Sequence, residues 1–302
     1  MKFFYIIYKK IKNLFYNLNI KKNILSSSDF KSSPKNIYPL SGVLNYDFNY
    51  KPKTSIIFCH FTSEKTLLSS LKNLKPLRDQ IEIIIMNDKG KLSSRLNKSL
   101  VNSNDLIINT KDLGEGIAYI NGANISRSSD YLIFCQDDDL IPYDHKWYED
   151  CLNEFQDDKM LGLIGLNGGG FYEGDKQIDF RRIKKSPMKK YCSWLKFGPF
   201  VIKKKLYFDI GGFELFGNVG ESANASDRHL TLKVIKYGYK AMLLINENTE
   251  KWKRRENRDD GLDKHDLKLL KNRNLSFSDS EIKFLNKYKQ DINDIQKKFN
   301  YK

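Results

Sequence analysis

The sequence has few cysteines and no long apolar run. Its 302 residues include four cysteines, Cys59, Cys135, Cys151 and Cys192, with no CxxC pair and no histidine at zinc-ligand spacing. This argues against a zinc module or a disulfide-rich secreted scaffold, and favours reduced, buried thiols in a cytoplasmic protein. No stretch approaches the roughly 18 apolar residues of a membrane-spanning helix. The first residues also lack the small-residue cleavage site of a signal peptide.

The chain has fewer acidic than basic residues. The chain has 52 Lys and Arg against 37 Asp and Glu, which gives a net charge of +15 at pH 7. Such an excess suits an anionic partner: a nucleotide, a nucleic acid, a phospholipid surface or an acidic glycan. Hydrophobic residues at 40% and aromatic residues at 13% exclude an intrinsically disordered chain and supply a sizeable core.

The first 53 residues form a segment of their own. Residues 1–20 carry an apolar stripe at helical spacing beside several lysines, which predicts a basic amphipathic helix. Such a helix either lies in an anionic membrane interface or docks on the protein's own core. Residues 23–53 are polar and rich in turn-forming residues, which is typical of a linker.

From Thr54 onward, predicted strands alternate with predicted helices. Buried strands are indicated by the apolar runs TSIIFCHF, IEIIIMND, DLIINT and YLIFCQDDD. The alternation predicts an α/β fold with a mainly parallel, doubly wound sheet and helices on both faces. We expect one domain over residues 54–250, followed by a charged helical extension over 251–302.

The second half of this domain is less regular. DHKWYEDCLNEF predicts a helix and MLGLIGL a strand, whereas NGGGFYEGDK predicts a flexible loop. The stretch SDRHLTLKVIKYGYKAMLLI predicts a capped helix, a stop at Gly238 and a final strand. Residues 181–205 contain ten Lys or Arg and no Asp or Glu. They either hold an anionic ligand or form a solvated face.

Three consecutive carboxylates, Asp137, Asp138 and Asp139, end the strand YLIFCQ. In open α/β sheets, ligands bind at the carboxyl ends of the strands. Adjacent carboxylates are tolerated when a cation neutralises them, and oxygen ligands select hard ions such as Mg²⁺ or Mn²⁺. The acidic triplet therefore indicates a divalent metal site, and a solvated turn or a helix N-terminus is the structural alternative.

The order of these segments resembles that of the family-2-like glycosyltransferases with the A-type, nucleotide-diphospho-sugar-binding fold. The resemblance covers about residues 54–250 and rests on the first strand and helix, the strand IIIMND, the stretch GIAYINGANISRSSDYLIF, the triplet and then Pro142. It implies a nucleotide-sugar half at 54–145 and an acceptor half at 146–250. It further implies sugar transfer, with inversion and with Mn²⁺ or Mg²⁺, from a nucleotide-diphosphate donor to a hydroxyl of a glycan or lipid-linked acceptor. The expected location is the cytoplasm, or the cytoplasmic face of a membrane.

The resemblance also assigns roles to single residues. The donor-binding residues that it implies are Cys59, His60, Phe61, Thr62, Asn87, Asp88, Asn121, Asp137 and Asp138. The metal ligands fall within Asp137, Asp138 and Asp139. Asp227 matches the catalytic base of inverting members, and a helix-capping role is its structural alternative. The chain departs from the family pattern at Asn87, Ile120, Gln136 and Ser226.

Two other classes of protein share part of these features. A metal-dependent nucleotidyltransferase has a similar sheet and carboxylates, but FCHFTSEK lacks the Gly-rich basic loop that cradles a triphosphate. A non-enzymatic nucleic-acid-binding protein would explain the net charge, but no helix-turn-helix, zinc-finger or RNP signature is found. The sequence thus favours a glycosyltransferase, and we expect no nucleic-acid partner.

Overall fold

The computed structural model describes residues 51–88, 105–110, 113–173, 176–180, 188–214, 226–254 and 282–295. All of them belong to one compact unit, residues 38–302. The helix predicted over residues 1–20 and nearly all of the predicted linker lie outside the described residues. In the part of the chain that is described, no helix has the length and apolar character needed to cross a membrane.

A mixed sheet of eight strands forms the centre of the domain. In order across the sheet, the strands are β3 (Leu106–Asn109), β2 (Ile81–Asn87), β1 (Thr54–His60), β4 (Tyr131–Gln136), β11 (Phe200–Lys203), β6 (Leu161–Gly165), β12 (Lys240–Ile245) and β9 (Met188–Tyr191). The first four are parallel to one another, and β12 is parallel to β6. Strands β11 and β9 run antiparallel to their neighbours. The mainly parallel sheet predicted from the sequence is confirmed.

The other strands form two small sheets. Strand β7 (Gly168–Glu173) pairs with β8 (Lys176–Asp179) and with β10 (Trp194–Lys196), and β5 (Asp139–Leu140) pairs with β13 (Lys253–Arg254). The prediction of a flexible loop at NGGGFYEGDK is therefore wrong. A Cβ at Gly170 would lie 1.8 Å from the carbonyl oxygen of Ile178 in β8. The glycine is thus required by the close approach of two strands.

Helices cover both faces of the sheet, as predicted. They are α1 (Glu64–Asn73), α2 (Glu115–Ile125), α3 (Lys146–Asp157), α4 (Lys204–Asp209), α5 (Ser226–Lys236) and α6 (residues 282–295), with 3-10 turns at Lys75–Leu77 and Thr249–Lys251. Helices α1 and α3 pack on one face of the sheet, together with Ile56 and Phe58 of β1. Helices α2, α4 and α5 pack on the other face, together with Ile57 and Cys59. Strand β1 is buried on both faces, which explains its unbroken apolar run.

A smaller core joins α6 to the second half of the domain. Phe284 and Ile292 of α6 are buried together with Trp194 of β10 and Leu232 of α5. Residues 282–295, within the stretch that the sequence predicts to be helical, form α6. This part of the C-terminal extension packs against the domain, because its apolar side chains complete a core that β10 and α5 leave open.

Candidate active site

The acidic triplet lies at the carboxyl end of β4, beside the end of β1. The register pairs Cys59 of β1 with Gln136 of β4, and the amide of Asp137 donates to the carbonyl oxygen of Cys59 at 3.2 Å. The triplet residues Asp137, Asp138 and Asp139 are only 6%, 2% and 3% exposed. Buried carboxylates of like charge are costly, so each needs hydrogen bonds or a cation.

The carboxylate of Asp137 is hydrogen bonded to the loop that follows β1. Its Oδ2 accepts from the amides of Phe61, Thr62 and Ser63 at 2.8, 2.6 and 2.7 Å. The same oxygen lies 3.1 Å from Nδ1 of His60. Burial acts to raise the pKa of Asp137, but the hydrogen bond and electrostatic attraction of His60, together with the amides, outweigh it, so the pKa lies below its usual value. Asp137 is therefore ionised, and its carboxylate is hydrogen bonded to the predicted donor loop.

Asp139 is hydrogen bonded to Gln136 and to α1. Oδ2 of Asp139 accepts from the amide of Gln136 at 2.8 Å, and the carbonyl oxygen of Asp139 accepts from Oγ of Ser70 in α1 at 2.9 Å. Within the described residues, no group of three or more His, Cys, Asp or Glu side chains is arranged to hold a metal ion. The hard oxygens of Asp138 and Asp139 still suit Mg²⁺ or Mn²⁺, because one or two carboxylates commonly hold such an ion together with substrate phosphates.

The predicted nucleotide pair, Asn87 and Asp88, is fully buried at the end of β2. Oδ1 of Asp88 accepts from the amide of Leu113 at 2.7 Å, and its Oδ2 accepts from the amide of Gly114 at 2.9 Å. The carboxylate thus fixes the loop that leads into α2. The amide of Asp88 donates to the carbonyl oxygen of His60 at 2.8 Å, which ties the ends of β1 and β2 together.

Glu115 borders the site and was missed by the sequence reasoning. Its Oε1 accepts from Nε2 of Gln136 at 2.6 Å and from the hydroxyl of Tyr119 at 3.0 Å. The available signal was the acidic residue in the first turn of a helix that follows the glycine N-cap Gly114. Asn121, which the resemblance places in the donor set, lies about 9 Å further along the axis of α2 than Glu115.

Asp227 lies in the first turn of α5 and is buried. Its Oδ2 accepts from the amide of Phe197 at 2.8 Å, and its Oδ1 accepts from the amide of Arg228 at 2.7 Å. Burial raises the pKa of Asp227, against the opposing effects of the Arg228 charge and the amides. A carboxylate with a raised pKa is a stronger base than a free aspartate, which suits proton abstraction from a hydroxyl.

Phe197 places Asp227 at the same edge of the sheet as the triplet. It lies three residues before Phe200, the first residue of β11, and Phe200 pairs with Phe134 of β4. Since β11 is antiparallel to β4, it begins at the carboxyl end of β4, where Asp137 follows. The predicted base and the predicted metal site thus share one edge of the sheet.

The last lysines of the basic stretch lie at the opposite edge. Strand β11 ends at Lys203, which pairs with Tyr131, the first residue of β4. Nζ of Lys204 donates to the carbonyl oxygens of Ser126 and Ser128 at 2.8 Å each. These lysines therefore do not reach a ligand bound beside the triplet. Residues 181–187 of the same stretch lie outside the described residues.

Several solved structures are similar to this chain. GalNAc-T7 in complex with UDP, GalNAc and Mn²⁺ is 15% identical with a TM-score of 0.51, and the match covers 66% of this chain and 43% of that one. A mannosyltransferase from Pyrobaculum calidifontis, in complex with GDP-Man and Mn²⁺, is 13% identical with a TM-score of 0.48, covering 78% and 66%. TarS from S. aureus is 14% identical with a TM-score of 0.46, covering 65% and 35%. This chain thus spans less than two thirds of the length of each.

The match to GalNAc-T7 shows a shared fold, the A-type glycosyltransferase fold that the sequence predicted. A search of curated proteins found no match. Glycosyl transferase family 2 is matched over residues 55–218, which is more than half of the chain and includes all but the first residue of β1, the acidic triplet and β11. The chain belongs to glycosyl transferase family 2.

Proposed function

We propose that this glycosyltransferase moves a sugar, with inversion, from a nucleoside-diphosphate donor to a hydroxyl of a glycan or lipid-linked acceptor. The observation that carries the proposal is the placement of two buried carboxylate sites, the acidic triplet and Asp227, at one edge of the sheet. One site is rich in negative charge, which suits a cation. The other is a single carboxylate with a raised pKa, which suits a base.

In the proposed donor site, Asp138 and Asp139 would hold Mn²⁺ or Mg²⁺ together with the donor diphosphate. A bound divalent ion supplies a Lewis acid for the negative charge that builds on the leaving diphosphate. The nucleotide lies against the loop Cys59–Thr62 and the pair Asn87–Asp88, whose backbones are tied together through His60 and Asp88. The complex of GalNAc-T7 with UDP, GalNAc and Mn²⁺ is consistent with this class of ligand.

In the proposed acceptor site, Asp227 takes the proton of the attacking hydroxyl. The amides of Phe197 and Arg228 hold its carboxylate in place, so the base is oriented before the acceptor arrives. In a single displacement the base lies on the face of the sugar opposite the leaving diphosphate. That arrangement inverts the configuration at the anomeric carbon.

A thermal-shift series tests the proposal. The chain is heated with UDP, GDP, ADP or CDP, with Mn²⁺ or with excess chelator, and one nucleotide is expected to raise the melting temperature in the presence of Mn²⁺. Saturation at about 100 times Kd stabilises a protein by about 2.7 kcal/mol. Asp138→Asn is expected to remove the Mn²⁺-dependent part of the shift. Asp130→Asn, which removes an exposed charge before β4, is the matched control. The proposal fails if none of the nucleotides shifts the wild-type melting temperature.

We also propose that the chain binds a membrane surface through residues 1–20. The apolar stripe and lysines of residues 1–20 favour binding to an anionic surface, where lipid-linked acceptors are found. Deletion of these residues is expected to abolish flotation with anionic vesicles and to leave nucleotide binding intact. Flotation that survives the deletion would place the membrane contact elsewhere.

A further inference from the structure

We infer that Asp137 is a positioning residue that shapes the nucleotide-binding loop, and that its Oδ2 is not a ligand of the metal ion. The inference rests on the proposed function, because it assigns different roles to the aspartates of the acidic triplet. The resemblance to the family leaves all three aspartates as candidate ligands. The contacts of Asp137 assign its Oδ2 to the loop after β1.

The contacts on which the inference rests are all made by one oxygen of Asp137. Oδ2 accepts from three consecutive amides, those of Phe61, Thr62 and Ser63, at 2.6–2.8 Å, and lies 3.1 Å from Nδ1 of His60. Four nitrogen contacts exceed the lone pairs of a carboxylate oxygen, so Oδ2 has none left for a metal ion. The N–H groups also carry positive partial charge, which disfavours a second cation at the same carboxylate.

The carboxylate holds the loop because its Oδ2 is the acceptor that the amides of residues 61–63 share. Ser63 is the N-cap of α1 and makes no side-chain capping hydrogen bond. Three consecutive amides that face one point form an anion-binding nest, and Asp137 of the neighbouring strand fills it from within the protein. Without an acceptor, buried amides of this kind would be costly.

The filled nest has a consequence for the donor. A helix N-terminus is a common phosphate-binding site, because its amides and its dipole both attract anions. At the N-terminus of α1, the amides that precede the helix are already bound to Asp137, so they are not available to a donor diphosphate. The diphosphate then depends on the cation held by Asp138 and Asp139, which makes donor binding strongly metal-dependent.

The experiment compares Asp137→Asn with Asp138→Asn, and uses Asp130→Asn as the control. The Kd of UDP and of GDP is measured with Mn²⁺ and with excess chelator. Because Asp137 shapes the loop, Asp137→Asn is expected to weaken nucleotide binding about tenfold in both conditions. Asp138→Asn is expected to weaken binding in Mn²⁺ alone and to match the wild type in chelator. The inference is overturned if Asp137→Asn binds like the wild type in chelator and loses the Mn²⁺ effect.

A second measurement needs no nucleotide, so it separates this inference from the proposed function. Amide hydrogen exchange of residues 61–63 is followed in the unliganded chain. Asp137→Asn is expected to speed exchange of these amides about tenfold relative to Asp130→Asn. Unchanged protection overturns the inference even if nucleotides bind. If Asp137→Asn does not fold, His60→Ala takes its place. This variant is expected to speed exchange less and to keep the Mn²⁺ effect on nucleotide binding, and loss of that effect would also overturn the inference.

Discussion

The two halves of the domain fix their loops by partly different means. In the first half, buried carboxylates at the ends of strands bind backbone amides: Asp137 holds the loop after β1, and Asp88 holds the loop before α2. In the second half, Asp227 binds amides in the same way, but further contacts reach α6 in the C-terminal extension. Oε1 of Glu214 forms an ion pair with Nζ of Lys287 in α6 at 2.8 Å, and its Oε2 lies 3.5 Å from Nε2 of His229 in α5. The proposed donor side is therefore held by the sheet itself, whereas the proposed acceptor side depends on α6.

The contacts of α6 contribute unequally to the stability of the protein. Its ion pairs, such as Lys236–Asp291 at 2.8 Å, are partly exposed and contribute little to stability. Phe284 is 1% exposed and packs in the core shared with β10 and α5. Apolar burial, and not charge, is thus the main attachment of α6 to the helix that carries Asp227.

The largest effect is expected at Asp227, where the proposed base and a structural anchor coincide. Asp227→Asn keeps the size of the side chain and an oxygen that accepts from the amide of Phe197. We expect kcat to fall about a hundred- to ten-thousand-fold, because the amide cannot take a proton, while nucleotide Kd and melting temperature stay almost unchanged. Steady-state kinetics and calorimetry measure both. A variant that keeps most of its kcat would leave Asp227 as an anchor of α5 and β10.

A smaller effect is expected when the packing of α6 against the domain is weakened. Phe284→Ala should reduce the free energy of unfolding by about 3 kcal/mol, because it empties a buried aromatic site. Ile282→Ala, at a residue that is 55% exposed on the same helix, is the matched control. Chemical denaturation measures both variants. If the two halves are fixed independently, Phe284→Ala raises the acceptor KM more than it raises nucleotide Kd. Equal increases in acceptor KM and nucleotide Kd would contradict the view that the two halves are fixed independently.

The smallest effect is a pH dependence of stability in the second half. Burial lowers the pKa of His229 to about 4, with Lys233 acting in the same direction and Glu214 opposing it. The native protein thus holds the ring neutral, while the unfolded chain takes up a proton near pH 6.5. Stability is full above pH 6.5 and falls as the pH drops toward 4, by at most about 1.4 kcal/mol per pH unit.

His229→Gln is expected to flatten this slope, and His145→Gln, at a half-exposed histidine, is expected to leave it unchanged. Urea unfolding between pH 5 and 6.5 measures the slope in both variants. Their difference isolates the effect of His229, because Asp105, whose pKa burial raises to about 6, titrates in the same range in both. Parallel slopes in the two variants would assign the acid sensitivity to other groups.

The sequence predicts well whatever depends on local pattern. The runs TSIIFCHF and YLIFCQ become β1 and β4, and the triplet follows β4 as expected, because buried parallel strands need unbroken apolar residues. Gly238 ends the predicted helix with a φ of +93°. These features need no knowledge of distant residues.

What the sequence does not predict depends on contacts between distant segments. The bonds from Asp137 to residues 61–63 join side chain and backbone across 74 or more positions, and no periodicity encodes them. The glycine run at 168–170 looks like a flexible loop until its pairing with β10, and that of Gly170 with β8, is known. The direction of β11 is likewise set by its neighbours, since a short apolar run has no polarity of its own.

The pairing of β5 with β13 has a consequence for synthesis of the chain on the ribosome. Asp139 of β5 pairs with Arg254, and Trp147 packs edge-on against Trp252 at 4.8 Å between ring centroids. These partners are made more than 100 residues apart, and at about 5–20 residues per second the later one emerges several seconds or more after the triplet. Until then, the edge beside Asp139 has no β13 to pair with. The edge beside the acidic triplet is therefore completed only after the chain has been made as far as Arg254.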